Sequence, residues 1–122
     1  TTFTQYFLRA LGVKGKITSP TFVLAKSYGL RIKDYEMAYH IDCYRINSDA
    51  QGGRGSDRKR RGKPGEILGF DLKDIFNVSQ NIVLIEWPER IRRALPNPPA
   101  GGAIWLNFEH GEKPNQRIVK IK

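Results

Sequence analysis

The chain has 122 residues, a length that suits one domain with a modest core. Hydrophobic residues make up 39%, and no apolar run approaches the roughly 20 residues of a bilayer span, so no membrane-spanning helix is expected within these residues. Nothing resembles a signal peptide, and the single cysteine, Cys43, excludes both an internal disulfide and a cysteine-built zinc cage, which suits a reducing cytoplasm.

The formal charge of +9 invites a nucleic-acid reading, but it is unevenly spread. Residues 51–65 hold Arg54, Arg58, Lys59, Arg60, Arg61 and Lys63 against Asp57 alone. That one segment supplies more than half of the excess.

Thr2 to Leu11 places Phe3, Tyr6, Phe7, Ala10 and Leu11 at helical spacing, with Gly12 as the C-terminal cap. An amphipathic helix is therefore expected from essentially the first residue. Thr18-Ser19-Pro20-Thr21 reads as a hydroxyl-rich loop feeding a strand from about Thr21 to Tyr28, because Pro20 biases Ser19 towards extended backbone. After a turn region, Met37 to Arg45 alternates: Tyr39, Ile41 and Cys43 point one way, His40, Asp42 and Tyr44 the other. The two strands can pair as a hairpin with a long connection. For His40 and Asp42, the simplest expectation is the polar outer face of a half-buried strand.

Residues 48–65 contain five glycines, one proline and clustered like charge, and within them 52–65 reads as a basic, disordered insertion. Glu66 to Phe76 fits one or two short helical turns, with Asp71 able to cap the second. Ile82-Val83-Leu84-Ile85 is an unbroken apolar run ending in Glu86 and Trp87, the pattern of a strand covered on both faces in a parallel sheet. Pro88 ends its ladder and opens a short helix to Leu95. Ala103 to His110 and Gln116 to Lys122 alternate as two final strands around a turn.

No serine triad or cysteine–histidine pair is recoverable, because Cys43 projects away from His40 and Asp42, and two distant histidines make no zinc site. What remains is a set of oxygen donors: Thr1 and Thr2 at a helix start, Ser19 and Thr21 in a loop, Asp42 on one strand and Glu86 at the end of another. Such donors suit Mg²⁺, which binds through one or two carboxylates plus phosphates, and a helix N-terminus suits a phosphate. Glu86 has two readings: an ordinary polar strand end, or a ligand at the carboxyl edge of a sheet.

Thr-Thr-Phe-Thr-Gln at 1–5, Thr-Ser-Pro-Thr-Phe at 18–22, His-Ile-Asp-Cys-Tyr-Arg at 40–45, Leu-Gly-Phe at 68–70 and Ile-Glu-Trp-Pro-Glu at 85–89 together resemble the TsaE (YjeE) family. These are P-loop ATPases of bacterial tRNA threonylcarbamoyladenosine (t⁶A) biosynthesis. The resemblance runs over nearly the whole chain and implies one domain over 1–122, with a P-loop NTPase-like three-layer α/β fold. It further implies a mostly parallel central sheet with antiparallel edge strands, incomplete at the N-terminus. The Gly-rich loop and its lysine are expected upstream of Thr1, so these 122 residues alone are expected to bind ATP negligibly.

By resemblance, Thr1 is the Mg²⁺-binding hydroxyl, Thr2 lies beside the α-phosphate, and Thr21 senses the γ-phosphate. Asp42 helps orient the attacking water, Glu86 holds Mg²⁺ directly or through water, and Trp87 packs beside the nucleotide. The implied cofactors are ATP and Mg²⁺. The implied partners are TsaD-like and TsaB-like proteins, with tRNA met only through their complex.

Two alternatives stand beside this reading: a non-enzymatic RNA-binding module built on the basic segment, and an inactive fragment of a P-loop protein. Deleting residues 52–65 separates the first alternative from the ATPase. In a form extended through the Gly-rich loop, an ATPase keeps its hydrolysis rate after the deletion, whereas an RNA-binding module loses RNA affinity in a gel-shift titration.

Overall fold

The computed structural model describes residues 1–20, 24–46, 66–67, 70–95 and 102–122. Helix α1 (Thr2–Ala10) comes first, followed by strands β1 (Ala25–Ile32) and β2 (Tyr35–Asp42). A two-residue ladder of β3 (Glu66–Ile67) and β4 (Phe70–Asp71) leads into helix α2 (Leu72–Phe76). Strand β5 (Asn81–Glu86), a 3₁₀ helix kinked at Ile91 (Pro88–Ala94), and strands β6 (Leu106–His110) and β7 (Arg117–Ile121) complete the order. Thr21 and the basic segment 52–65 lie outside the described residues.

The main sheet runs β1-β2-β5, with β1 antiparallel to β2 and β2 parallel to β5. The chain is thus α/β with a mixed sheet. The expected long connection between β1 and β2 is instead a two-residue turn, Lys33-Asp34, closed by the Ile32–Tyr35 pair. Asp34 takes a positive φ of 73° there, a conformation that Asp tolerates better than most residues. Between Gly29 and Ile32 the register slips, with three steps on β1 against two on β2. Such an extra residue bends the strand and raises its local twist.

Both faces of this sheet are covered. On one, Ile41 and Cys43 of β2 pack with Leu72 of α2 and Ile91 of the 3₁₀ helix, joined by Val83 and Ile85 of β5. On the other, Leu8 of α1 packs with Ile17, Leu30 and Ala38, joined by Ile82 and Leu84. The apolar run in β5 therefore divides its alternate residues between two cores, as a two-faced strand must. His40 and Asp42, expected on an outer face, are buried at 0% and 4% exposure beneath α1.

Helix α1 is amphipathic, but its buried stripe is Thr4 and Leu8, with Leu11 partly covered beyond its end. Phe3 and Tyr6 are exposed at 40% and 71%. Phe3 stacks on Phe7 at a ring distance of 5.9 Å and meets Phe108 of β6 at 5.5 Å, so the aromatic side of the helix serves the β6–β7 hairpin. Gly12, at φ 86°, gives the left-handed turn that ends the helix, and its N–H reaches Arg9 O at 2.9 Å. Asp71 caps α2 as expected, accepting from Lys73 N at 2.9 Å, whereas the helical turn expected before it is the β3–β4 ladder.

Leu8, at 0% exposure, anchors a helix of only nine residues. Leu8→Ala is expected to cost about 3 kcal/mol through lost transfer energy and a residual cavity, read as a lower urea midpoint at unchanged m-value.

Candidate functional site

Strands β2 and β5 run parallel in a register that pairs Asp42 with Glu86, their last residues. Both carboxylates thus reach the carboxyl edge of the sheet side by side, where open α/β sheets place their ligand sites. The start of α1 meets the same edge. Thr1 is its N-cap residue, yet the Thr1 hydroxyl does not accept from the helix. It donates instead to Glu86 Oε2 at 2.8 Å. The N–H groups of the first helical turn are therefore left without that side-chain cap, pointing towards the same corner.

Glu86 is bound on both oxygens. Oε2 also lies 2.9 Å from the α-amino group of Thr1, and Oε1 lies 2.7 Å from His40 Nε2. Burial pushes the carboxyl pKa up, but the hydrogen bonds from His40, the amino group and the Thr1 hydroxyl, with the charge of that amino group, outweigh burial and bring it down to about 2. Asp42 is buried beside it and accepts from Tyr44 N at 3.0 Å through Oδ1. Cys43 turns to the opposite face, where burial first and the charges of Asp42 and Glu89 next push its thiol up to about 12. A thiol held protonated in this way is a poor nucleophile, and Cys43 packs in the core instead.

Trp87 follows Glu86 in the left-handed region, at φ 59° and ψ 47°. For a bulky residue this costs about 1–2 kcal/mol, and the Pro88 ring immediately after it sets the chain into the 3₁₀ helix. The indole is 47% exposed and tilts against Tyr44 at a ring distance of 5.3 Å. The strain turns the chain away from the sheet directly after the carboxylate.

The structure thus brings together Thr1, Asp42 and Glu86, with Trp87 next in the chain. Thr2 is exposed in the first turn of α1, and Thr21 falls outside the described residues. The residue missed from the sequence is His40. Its place two positions before Asp42 on an alternating strand was a usable signal, because it shares the face on which Asp42 and Glu86 meet. Arg117 bonds Pro114 O and Gln116 O, closing the turn ahead of β7.

Among the described residues, no group of three or more His, Cys, Asp or Glu side chains could hold a metal ion. A hydroxyl and one carboxylate within 2.8 Å, with a second carboxylate one strand away, is the sparse oxygen set that suits Mg²⁺ completed by phosphate and water.

The family model described as "Threonylcarbamoyl adenosine biosynthesis protein TsaE" matches residues 1–119. Among similar proteins, a tRNA threonylcarbamoyladenosine biosynthesis protein TsaE of Haemophilus influenzae is 32% identical over 96 residues, 79% of this chain and 49% of that protein. A protein of the same name from Bacillus subtilis is 31% identical over 96 residues, 79% of this chain and 48% of its own length. Another, from Streptomyces coelicolor, is 32% identical over 89 residues, 73% of this chain and 49% of its own. The chain spans about half the length of the curated relatives it matches. No solved structure matches it. No helix among the described residues is long and apolar enough to cross a membrane.

The lowered carboxyl pKa fixes the sign of an acid effect. Glu86 holds its proton less tightly in the fold than in the unfolded chain, so its stabilisation is complete above about pH 4.5 and is lost as pH falls towards about 2. Urea unfolding between pH 6 and 2 should show a loss of up to about 3 kcal/mol that Glu86→Gln largely removes. Where a peptide N–H stands in place of the amino group, the slope shrinks and keeps its sign.

Proposed function

Because the chain belongs to the TsaE family, we propose that it is the ATP-hydrolysing component of tRNA t⁶A formation. In this reading it works with Mg²⁺ in the cytoplasm, in support of TsaB-like and TsaD-like proteins. The observation that carries the reading is the meeting of the Thr1 hydroxyl, the Glu86 carboxylate and the Asp42 strand end at the start of α1. The names of the relatives, all threonylcarbamoyladenosine biosynthesis proteins, support the pathway.

The fold proposed is the three-layer P-loop architecture with a mostly parallel central sheet, completed by a strand and Gly-rich loop upstream of Thr1. The domain proposed spans 1–122 as one unit, interrupted by the basic insertion at 52–65. Thr1 and Glu86 hold the cation side of the site, and Thr2 with the open N–H groups of the first turn of α1 faces the phosphates. Asp42 accepts a hydrogen bond from the attacking water and aims it at the γ-phosphate, which Thr21 senses. Trp87 packs beside the nucleotide. Mg²⁺, when bound, neutralises charge on the transferring phosphoryl group. The protein's work is otherwise positioning, with no covalent intermediate. tRNA is met through the complex with the partner proteins.

Glu86→Gln, made in a form extended upstream through the Gly-rich loop, should lower ATP hydrolysis on the order of 100-fold while the far-UV circular dichroism spectrum is kept. Loss of the folded spectrum would return Glu86 to a purely structural role, and unchanged hydrolysis would remove it from the site.

A further inference from the structure

His40 is wholly buried on the site-facing side of β2, between Lys26 of β1 and Leu84 of β5 in the sheet register. A buried imidazole is costly unless its nitrogens are used, and only one of them is. Nε2 lies 2.7 Å from Glu86 Oε1, and Nδ1 meets no partner among the described residues. An ionised carboxylate can only accept, so Nε2 carries the proton. Nδ1 has no partner among the described residues that could fix the ring from its other side. The ring is held in this orientation by full burial rather than by a second hydrogen bond.

The two oxygens of Glu86 are therefore unlike. Oε1 is taken by a buried donor, whereas Oε2 accepts from two groups of the partly exposed Thr1, its hydroxyl at 2.8 Å and its amino group at 2.9 Å. Rotation of the carboxylate would break the bond to His40, so one oxygen alone faces the corner where Thr1, Asp42 and the helix start converge.

We propose that His40 is a positioning residue for cation selection: its Nε2–H occupies Glu86 Oε1 and leaves Oε2, beside the Thr1 hydroxyl, as the one oxygen offered to a divalent cation. The proposal rests on the reading of Glu86 as the Mg²⁺-side acid. Mg²⁺ is small, strictly octahedral and satisfied by single oxygens from one or two carboxylates. Ca²⁺ takes six to eight oxygens and commonly both from one carboxylate. A carboxylate with one oxygen held by a buried donor, and the other by exposed groups that an ion can displace, suits the first ion and handicaps the second.

The test measures affinity for a non-hydrolysable ATP analogue by isothermal titration, in Mg²⁺, in Ca²⁺ and in EDTA. The protein is a form extended through the Gly-rich loop, unmodified or carrying H40L, H40Q or E86Q. H40L should cut the gain in affinity due to Mg²⁺ by about 10- to 100-fold and narrow the preference for Mg²⁺ over Ca²⁺, with the EDTA value unchanged. H40Q, whose side-chain amide can reach Oε1, should recover most of both. An E86Q protein that keeps the full Mg²⁺ gain overturns the reading of Glu86 itself. A weakened E86Q beside an unaffected H40L overturns the role of His40 alone, as does H40Q failing as badly as H40L. Should H40L not fold, ¹⁵N shifts of His40 in the unmodified chain decide. A protonated Nε2 upholds the donor assignment, and a bare Nε2 overturns it.

Discussion

The carboxylate of Glu86 ties three separate parts of the chain to one point: the end of β5, the middle of β2 through His40, and the start of α1 through Thr1. These groups lie 46 and 85 positions away from it in sequence. Ordering them costs chain entropy that a single exposed ion pair would not offset. Here His40 is fully buried and Glu86 only 15% exposed, and charge-assisted hydrogen bonds are about twice as strong as neutral ones. The packing of Leu8 against Ala38, Leu84 and their neighbours supplies the remaining adhesion of helix to sheet, so the polar corner and the apolar core support each other.

Strain is concentrated at the same place. Leu24 and Trp87, both bulky, take left-handed backbone at φ 60° and 59°. The Leu24 N–H reaches Pro20 O, and its own carbonyl accepts from Asp42 N at 2.8 Å. Trp87 carries the chain off the sheet directly after Glu86. Each therefore flanks one of the two strand ends that present a carboxylate. Backbone held away from its preferred regions persists where the surroundings over-determine it, and such positions gather at ligand-binding corners. On the other side of α1, Phe3, Phe7 and Phe108 join the β6–β7 hairpin to the helix, which leaves Thr4 and Leu8 free to face the sheet.

Much of this was legible in the residues. The alternation of Met37 to Arg45, the unbroken apolar run of Ile82 to Ile85, the Asp71 cap and the Gly12 stop each correspond to an observed element. The errors have a common physical origin. Periodicity tells which residues share a face but not what covers that face. The alternation of β2 was right, yet its polar side is buried, because α1 lies over it. The helical spacing of Phe3, Tyr6 and Phe7 was right too, yet Phe3 meets the hairpin and Tyr6 the solvent instead of the sheet. Turn length was misjudged at Lys33-Asp34, where an Asp adopted the conformation usually left to glycine.

By itself the sequence determined the strands and helices whose patterns are strong and the oxygen-donor character of the candidate site. Those properties belong to residue types and local spacing. Tertiary structure alone decided that Asp42 and Glu86 stand in register, that Thr1 spends its hydroxyl on Glu86 instead of capping its own helix, and that His40 is the buried donor behind that carboxylate. Parallel pairing joins strands far apart in the chain, and no local signal specifies their register. The strand end that looked most like an ordinary stop in the sequence is, in three dimensions, the point at which the helix and two strands are joined.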